Sequence, residues 1–461
     1  MARKVRVRKK RRSSQAPLYL KRIAIRNVRC FEKVSIQLAS NGKPRKWGVI
    51  FGDNGVGKTT LLRCIAMGLC DASSVGGLLG EIYGEWNRKS HGKSQNAEIL
   101  IEFVSPRGGR RRWIKTRFIV DPSGYTRVAQ ETEPKNFPWG RIFVCGYGAA
   151  RRAFSTKDYD EYAAIDAIYS LFNYDTALQN PELVLWRINS LTRRIKSEAD
   201  YEGYRTKTKE FLDSIACILM LEPGSVALTK SGLSIKGPWG DFQPIGGIAD
   251  GYQATLAWIA DLLGWAYLYN EGRSRSAISG ILIIDELEQH LHPRWQRKII
   301  GLLRRQFPHM QFIATTHTPM CAIGTTELDD SECELIVLEG HEHEVKAVEN
   351  FKPPRHQWAD QILTSRLFKL PTAGDEKLLE SISRYNQLMS KGKEIISSNE
   401  RREASRIHAV LSDVLKAPKS EFEGRIESAV MDALEAQAND AISRAAARFE
   451  VRRQLRAVRS K

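Results

Sequence analysis

Residues 47–60 read Trp-Gly-Val-Ile-Phe-Gly-Asp-Asn-Gly-Val-Gly-Lys-Thr-Thr. Trp47 to Phe51 form a short apolar run with β-branched residues, which suits a buried strand. Gly52 ends that run. Thr60-Leu-Leu-Arg-Cys-Ile-Ala-Met-Gly-Leu69 then carries apolar residues at helical spacing. A strand, a glycine loop and a helix in that order predict an α/β fold. Residues 52–59 fit Gly-x4-Gly-Lys-[Ser/Thr], a phosphate-binding loop. Gly52, Gly55 and Gly57 let the backbone curl with its N–H groups inward, and the helix N-terminus adds partial positive charge there. The candidate nucleotide contacts are Asn54, Gly55, Gly57, Lys58, Thr59 and Thr60. Lys58 is expected at the β- and γ-phosphates and the Thr59 hydroxyl on Mg²⁺. ATP and Mg²⁺ are therefore the expected cofactors.

A second stretch, Ile281-Leu-Ile-Ile-Asp-Glu286, is a fully apolar strand of the parallel-sheet type, ending in two adjacent carboxylates. Asp285 is the candidate Mg²⁺ ligand. Glu286 is the candidate general base for an attacking water, at the sheet edge where open α/β sheets bind ligands. Leu287-Glu-Gln-His-Leu-His-Pro293 follows, with Pro293 in the first turn of a helix expected from Arg294. Phe312-Ile-Ala-Thr-Thr-His317 is a further apolar strand ending in a histidine that could sense the γ-phosphate. His290 and His292 stand at i and i+2 beside a proline turn, a poor zinc spacing.

This order of motifs, with the Glu-x-His-Leu-His-Pro segment at 288–293 and Thr315-Thr-His317, resembles the ABC-type ATPases of the SMC, RecF and OLD group. The resemblance covers roughly residues 18–350. Within that group the chain looks most like the small bacterial defence ATPases of the Septu and retron-associated type. Gly146-Tyr-Gly-Ala-Ala-Arg151, Ile248-Ala-Asp-Gly-Tyr-Gln253, and Trp358-Ala-Asp-Gln-Ile-Leu363 followed by Phe368 carry that narrower likeness. The resemblance implies a signature loop at a helix start, here with Asp250 and Gly251, that binds the γ-phosphate held by a partner subunit. It thereby implies a head-to-tail dimer with two shared sites. Ala249 stands where the family commonly has serine, which removes a hydroxyl donor. Asp250 near a phosphate is explicable as a helix cap. The expected fold is an α/β ABC-type P-loop NTPase core with a mixed sheet, a helical insertion and a helical C-terminal region.

The 461 residues suggest about two to four domain-sized units. No run of ~18 apolar residues predicts a membrane span, and the basic residues 3–12 lead into no apolar signal segment. The seven cysteines show no CxxC spacing, as in a reduced cytoplasmic protein. The net charge of +18 is uneven: residues 1–48 hold 16 Lys or Arg against one acid, Glu32. Such an arm binds polyanions without sequence readout, or simply solubilises the chain. Arg110, Arg111 and Arg112 form a shorter basic cluster beside the expected hairpin turn at 106–109.

Along the chain, residues 1–17 read as a basic disordered arm and 18–350 as the ATPase domain. Residues 71–95 read as a loop, 97–104 with 113–120 as paired strands, and 141–145 as a strand. Residues 158–221 read as a helical insertion, 225–235 as a strand pair, and 351–461 as a helical partner or oligomer region. That last region includes expected helices at 376–388, 401–415 and 421–459. The 190-residue separation of Thr59 and Ala249 holds no sustained heptads, which excludes a long-armed SMC protein. No acidic cluster or HNH-type histidine pattern of a nuclease follows residue 330. Four functions are then open. The first is a regulatory ATPase in anti-phage defence whose effector, a nuclease or toxin, is a separate protein. The second is a RecF-like DNA-repair ATPase clamping DNA through its basic face. A transporter ATPase is disfavoured by the missing Gly-Gly signature, and a scaffold with little turnover is permitted by Ala249.

Overall fold

A computed structural model of the chain describes residues 17–82, 84–90, 92–106, 108–155, 159–192, 198–270, 278–342, 344–370, 376–390 and 397–415. The basic residues 3–12 and the expected helix at 421–459 lie outside these. The chain forms two compact units, one up to residue 373 and one from 374.

Strands β1 (Tyr19–Val28) and β2 (Phe31–Gln37) open the first unit, and a minor ladder of β3 (Ala39–Ser40) and β4 (Lys43–Pro44) leads to β5 (Trp47–Gly52). Helices α1 (Lys58–Gly68) and α2 (Ala72–Gly80) follow the glycine loop. A second minor ladder, β6 (Lys89–Ser90) with β7 (Lys93–Ser94), precedes β8 (Ala97–Val104), β9 (Arg112–Val120), β10 (Thr126–Glu133), β11 (Val144–Tyr147) and β12 (Arg152–Ser155). Next come α3 (Ala164–Ile168), β13 (Ala177–Gln179), α4 (Pro181–Thr192) and α5 (Glu198–Ile218). A small sheet of β14 (Val226–Thr229), β15 (Gly232–Lys236) and β16 (Phe242–Pro244) precedes α6 (Asp250–Tyr269) and β17 (Ser279–Ile284). The unit ends with α7 (Pro293–Gln296), α8 (Ile299–Gln306), β18 (His309–Thr315), α9 (Pro319–Gly324), β19 (Cys333–His341), β20 (Glu344–Phe351) and α10 (Ala359–Leu363). In the second unit, α11 (Glu376–Ser390) and α12 (Ser398–Leu415) are joined by Arg384, whose Nε and Nη2 donate to the two oxygens of Glu403 at 2.9 and 3.1 Å.

Two large sheets dominate the first unit, so it is the mixed α/β architecture the motifs implied. One is antiparallel, in the order β10-β9-β8-β1-β2. The other runs β11-β17-β18-β5-β19-β20, parallel except for β20. Side chains alternate across the parallel sheet. Trp47, Val49, Phe51, Leu282, Ile284 and Phe312 enter one core, while Ile50, Ile281, Ile283 and Ile313 enter the other. Both faces are buried, which is why these strands read as unbroken apolar runs. Trp47 stacks on Phe312 with ring centroids 4.3 Å apart. The fully buried Gln311 of β18 ties the sheets together. Its Oε1 accepts from Leu20 N at 2.7 Å and its Nε2 donates to the Leu20 and Arg45 carbonyls at 3.1 and 2.8 Å. Leu20 lies where the β1–β8 register slips, so Gln311 satisfies backbone groups the ladder leaves open.

Several boundaries differ from the sequence reading. Residues 72–80, read as loop, are helix α2. Asp71 caps it by accepting from Ser73 N and Ser74 N, and Val75 and Leu78 are buried. The strand expected from 141 begins at Val144, after a 3₁₀ turn at Trp139–Arg141. The insertion 158–221 is not wholly helical: β13 pairs parallel with β12. The strand pair at 225–235 gains a third member, β16. Residues 351–370, read as the start of a separate region, pack on the first unit. Ile362 and Leu367 join its core, and Phe368 meets Phe51 edge-on at 5.6 Å.

Candidate nucleotide site

The glycine loop runs from the end of β5 into α1, at the carboxyl edge of the parallel sheet. Gly55 and Gly57 take left-handed backbone conformations, φ 82° and 90°, which L side chains adopt only at a cost. Around Gly57 there is no room either. A Cβ built there would lie 2.5 Å from Cys30 Sγ and 3.0 Å from Phe31 Cζ. Gly57 is also the N-cap of α1 and no side chain caps that helix, so first-turn amides remain for an anion. Lys58 is buried and folds over the loop, its Nζ donating to the Gly52 and Asp53 carbonyls at 2.8 Å each. Burial lowers the Lys58 pKa, opposed by Asp285, Glu286 and other nearby carboxylates. Asn54 is exposed at the loop tip and Thr60 is buried in α1.

Asp285, only 2% exposed, stands at the end of β17. Thr59 Oγ1 donates to its Oδ2 and Thr315 Oγ1 to its Oδ1, both at 2.6 Å. The loop and the acidic strand end, 226 residues apart, therefore share one site. Glu286 follows in a left-handed conformation, φ 47°. Its N–H donates to Thr315 Oγ1 at 2.8 Å. Arg151, 7% exposed, donates from Nη2 to the carbonyls of Asp285 and Glu286 at 2.7 and 2.9 Å. The His317 amide donates to Glu288 Oε1, while Glu288 Oε2 is buried with no partner among the described residues. His292 serves as a cap, its Nδ1 accepting from Arg294 N at 3.3 Å. No group of three or more metal-ligating side chains occurs among the described residues.

Asp250 and Gly251 are placed by different neighbours. They begin α6, with Ala249 as N-cap and no side-chain cap, so Asp250 does not cap the helix as the sequence suggested. Its carboxylate is exposed in the first turn, where the helix dipole favours it. A Cβ on Gly251 would lie 2.8 Å from the His290 carbonyl, and Tyr252 meets Trp295 edge-on at 4.7 Å. The helix start thus lies on the segment that follows Glu286. Deeper in α6, the buried Asp261 accepts from Tyr147 Oη at 2.8 Å and from Gln179 N at 2.9 Å. Burial raises its pKa to about 6. At the 105–112 hairpin, Arg110 is exposed and Arg111 is paired with the buried Glu102.

Sequence reasoning gave no role to Arg151, Asp261 or Thr315. A lone acid inside the apolar run 254–263 was a visible signal for Asp261. Arg151 closes the 146–151 segment noted for its resemblance, but nothing in that segment signalled its role, because its partners are carbonyls.

The residues present fit a magnesium nucleotide. Asp285 and Thr59 present hard oxygen donors side by side, which Mg²⁺ prefers. The Lys58 ammonium and the uncapped α1 N-terminus suit phosphates.

Fold and site together have the arrangement of an ABC-type AAA ATPase, and family matches over two parts of the chain agree with it. An AAA-domain family matches residues 22–140, and a second, described as "AAA domain, putative AbiEii toxin, Type IV TA system", matches 240–320. Among curated proteins the chain is similar to Septu protein PtuA of Bacillus mycoides strain KBAB4. The identity is 26% over 380 residues, 81% of this chain and 48% of that one. It is also similar to the Retron Vc95 probable ATPase of Vibrio cholerae serotype O1 biovar El Tor, 27% identical over 149 residues, 32% and 28% of the two chains. The chain spans about half the length, or less, of the curated relatives it matches. Among solved structures, the SMC head bound to the C-winged helix domain of ScpA shares 16% identity over 72% of this chain and 97% of that one, with a TM-score of 0.45. The recombination mediator protein RecF gives 14%, 72%, 99% and 0.37.

Proposed function

We propose that this chain is an ATP-binding and ATP-hydrolysing regulatory ATPase of a bacterial anti-phage defence system. It dimerises on ATP in the cytoplasm and controls a separate effector, a nuclease such as an HNH enzyme or a toxin. The observation that carries the reading is the 2.6 Å bond from Thr59 to Asp285, which joins the phosphate loop to the acidic strand end. The likeness to proteins named for Septu and retron systems supplies the biological frame.

In this reading Lys58 exchanges the Gly52 and Asp53 carbonyls for phosphate oxygens. Thr59 and Asp285 hold Mg²⁺, which when bound neutralises developing phosphate charge. Glu286 takes a proton from the attacking water, and His317 contacts the γ-phosphate. Asp250 and Gly251, at the start of α6, face the nucleotide held by a second copy. Helices α11 and α12 serve partner or oligomer contacts.

Phosphate release tests the chemistry. Wild type should turn ATP over, and Glu286→Gln should lose ~10²–10⁴-fold in rate while still binding ATP. Unchanged turnover in Glu286→Gln would remove Glu286 from the reaction, and a wild type without turnover would leave only a nucleotide-binding scaffold.

The charge of residues 1–48 favours a second reading, a RecF-like ATPase that clamps DNA through residues 3–12 and 110–112. Deleting residues 3–12 should then abolish salt-sensitive DNA binding. Defence function without any DNA affinity decides for the first reading.

A further inference from the structure

Arg151 is a buried cation that the reaction described above does not use. It follows β11, and its Nε donates to the Gly148 carbonyl at 3.3 Å. Its Nη2 reaches the carbonyls of Asp285 and Glu286, and its guanidinium lies 5.6 Å from the ring centroid of Trp258 in α6. Burial lowers its pKa only to about 10, so it stays charged at neutral pH. Burying a guanidinium is costly unless its donors are used, and here the donors converge on the two residues that carry the site's carboxylates.

Glu286 is the residue that needs holding. A non-glycine residue at φ 47° is uncommon, and a strained backbone persists only where its surroundings fix it. Its N–H is held by Thr315 Oγ1 and its carbonyl by Arg151. Both flanking peptide planes are thus fixed, and with them the direction of the Cα–Cβ bond. We propose that Arg151 is a positioning residue for hydrolysis: it clamps the Asp285 and Glu286 carbonyls and thereby holds Glu286 where it works as the base. This rests on the reading of Glu286 given above.

The test compares Arg151→Lys, Arg151→Gln, Glu286→Gln and the double variant R151K/E286Q in the full chain. Turnover is measured by phosphate release and ATP affinity by calorimetry. Misplacing a catalytic group by about 1 Å costs on the order of 10²-fold. Arg151→Lys should therefore lose roughly 30- to 100-fold in kcat with ATP Kd within about threefold of wild type. Because Arg151 acts through Glu286, R151K/E286Q should be no slower than Glu286→Gln alone within about threefold. A full further loss in the double variant overturns the proposal. So does parallel loss of ATP binding, or failure of both Arg151 variants to fold, since Arg151 is then a structural residue. An inactive Glu286→Gln beside a normal Arg151→Lys removes Arg151 alone; a fully active Glu286→Gln removes the base and Arg151 with it.

Discussion

Gly57→Ala is the sharpest perturbation of the phosphate loop, because conformation and space oppose it separately. At φ 90° an alanine stands in left-handed backbone, which costs roughly 1–2 kcal/mol. Its Cβ would also lie 2.5 Å from Cys30 Sγ and 3.0 Å from Phe31 Cζ. Phe31 is fully buried and cannot yield cheaply; overpacking of this kind costs about 1–3 kcal/mol. The loop relieves both terms by shifting, and since Gly57 caps α1 the shift carries Lys58 and Thr59 with it. The strain then appears in nucleotide binding more than in fold stability. Together the terms make roughly 2–5 kcal/mol, or about 30- to 4000-fold weaker ATP binding at 1.4 kcal/mol per tenfold. Calorimetric titration with ATP and Mg²⁺ reads this directly, alongside a thermal melt to show that the fold survives. Adding Cys30→Ala removes the sulfur but neither the left-handed strain nor the Phe31 contact. G57A/C30A should therefore regain only part of the packing loss, at most about 140-fold. Gly57→Ala binding ATP within threefold of wild type would refute the loop geometry. A double variant no tighter than Gly57→Ala would refute the Cys30 contact.

Two further predictions concern buried carboxylates. Burial raises Asp261 from 3.8 to about 6, so between about pH 4 and 6 the unfolded chain has released a proton that the folded chain keeps. This contribution is full below the unfolded value and is lost as pH rises through 6. Two units correspond to about 3 kcal/mol, so the urea-measured stability of wild type relative to Asp261→Asn should fall by that order from pH 4 to 7. A pH-independent difference would deny the desolvation. Glu334, 3% exposed, accepts from Asn350 N at 2.7 Å and pairs with Arg45 Nε at 3.0 Å. Arg45→Met strands that carboxylate and should cost about 3–5 kcal/mol. R45M/E334Q, which buries no charge, should recover most of it in the same unfolding assay. A single-variant loss below about 1 kcal/mol would show that the Glu334 charge does not depend on Arg45.

What the sequence disclosed was chemistry written in contiguous side chains. Gly52 to Thr59 and Ile281 to Glu286 are legible because strand, turn and functional groups adjoin within a few residues. Helix α2 was hidden because Gly76, Gly77 and Gly80 argue against a helix, while the Asp71 cap and the burial of Val75 and Leu78 outweigh them. Strand β13 is three residues long and exists only because β12 lies beside it. The boundary near 351 was misplaced because Phe351-Lys-Pro-Pro-Arg355 looks like a linker, whereas the apolar side chains beyond it find their contacts in the core around Phe51. Arg151 stood in a segment singled out by resemblance, but its role was hidden for a different reason: its acceptors are main-chain carbonyls 134 and 135 residues away, and a carbonyl has no sequence signature.

The acidic strand end is not a local structure, and this bears on how the site responds to its occupant. Asp285 N donates to the Tyr147 carbonyl on β11, and Leu287 N donates to the Thr315 carbonyl on β18. Tyr147 in turn donates its hydroxyl to Asp261 of α6. The position of Asp285 and Glu286 is therefore set by the register of β17 between its two neighbours and by the seating of α6 on β11. A group that fixes Asp285 and Thr59 together acts on β5, β17 and β18 at once. The helix that begins at Asp250 reaches the same carboxylates through Tyr147 and through Arg151 against Trp258. Through Asp261 and Trp258, α6 therefore touches both groups that hold the backbone of Asp285 and Glu286.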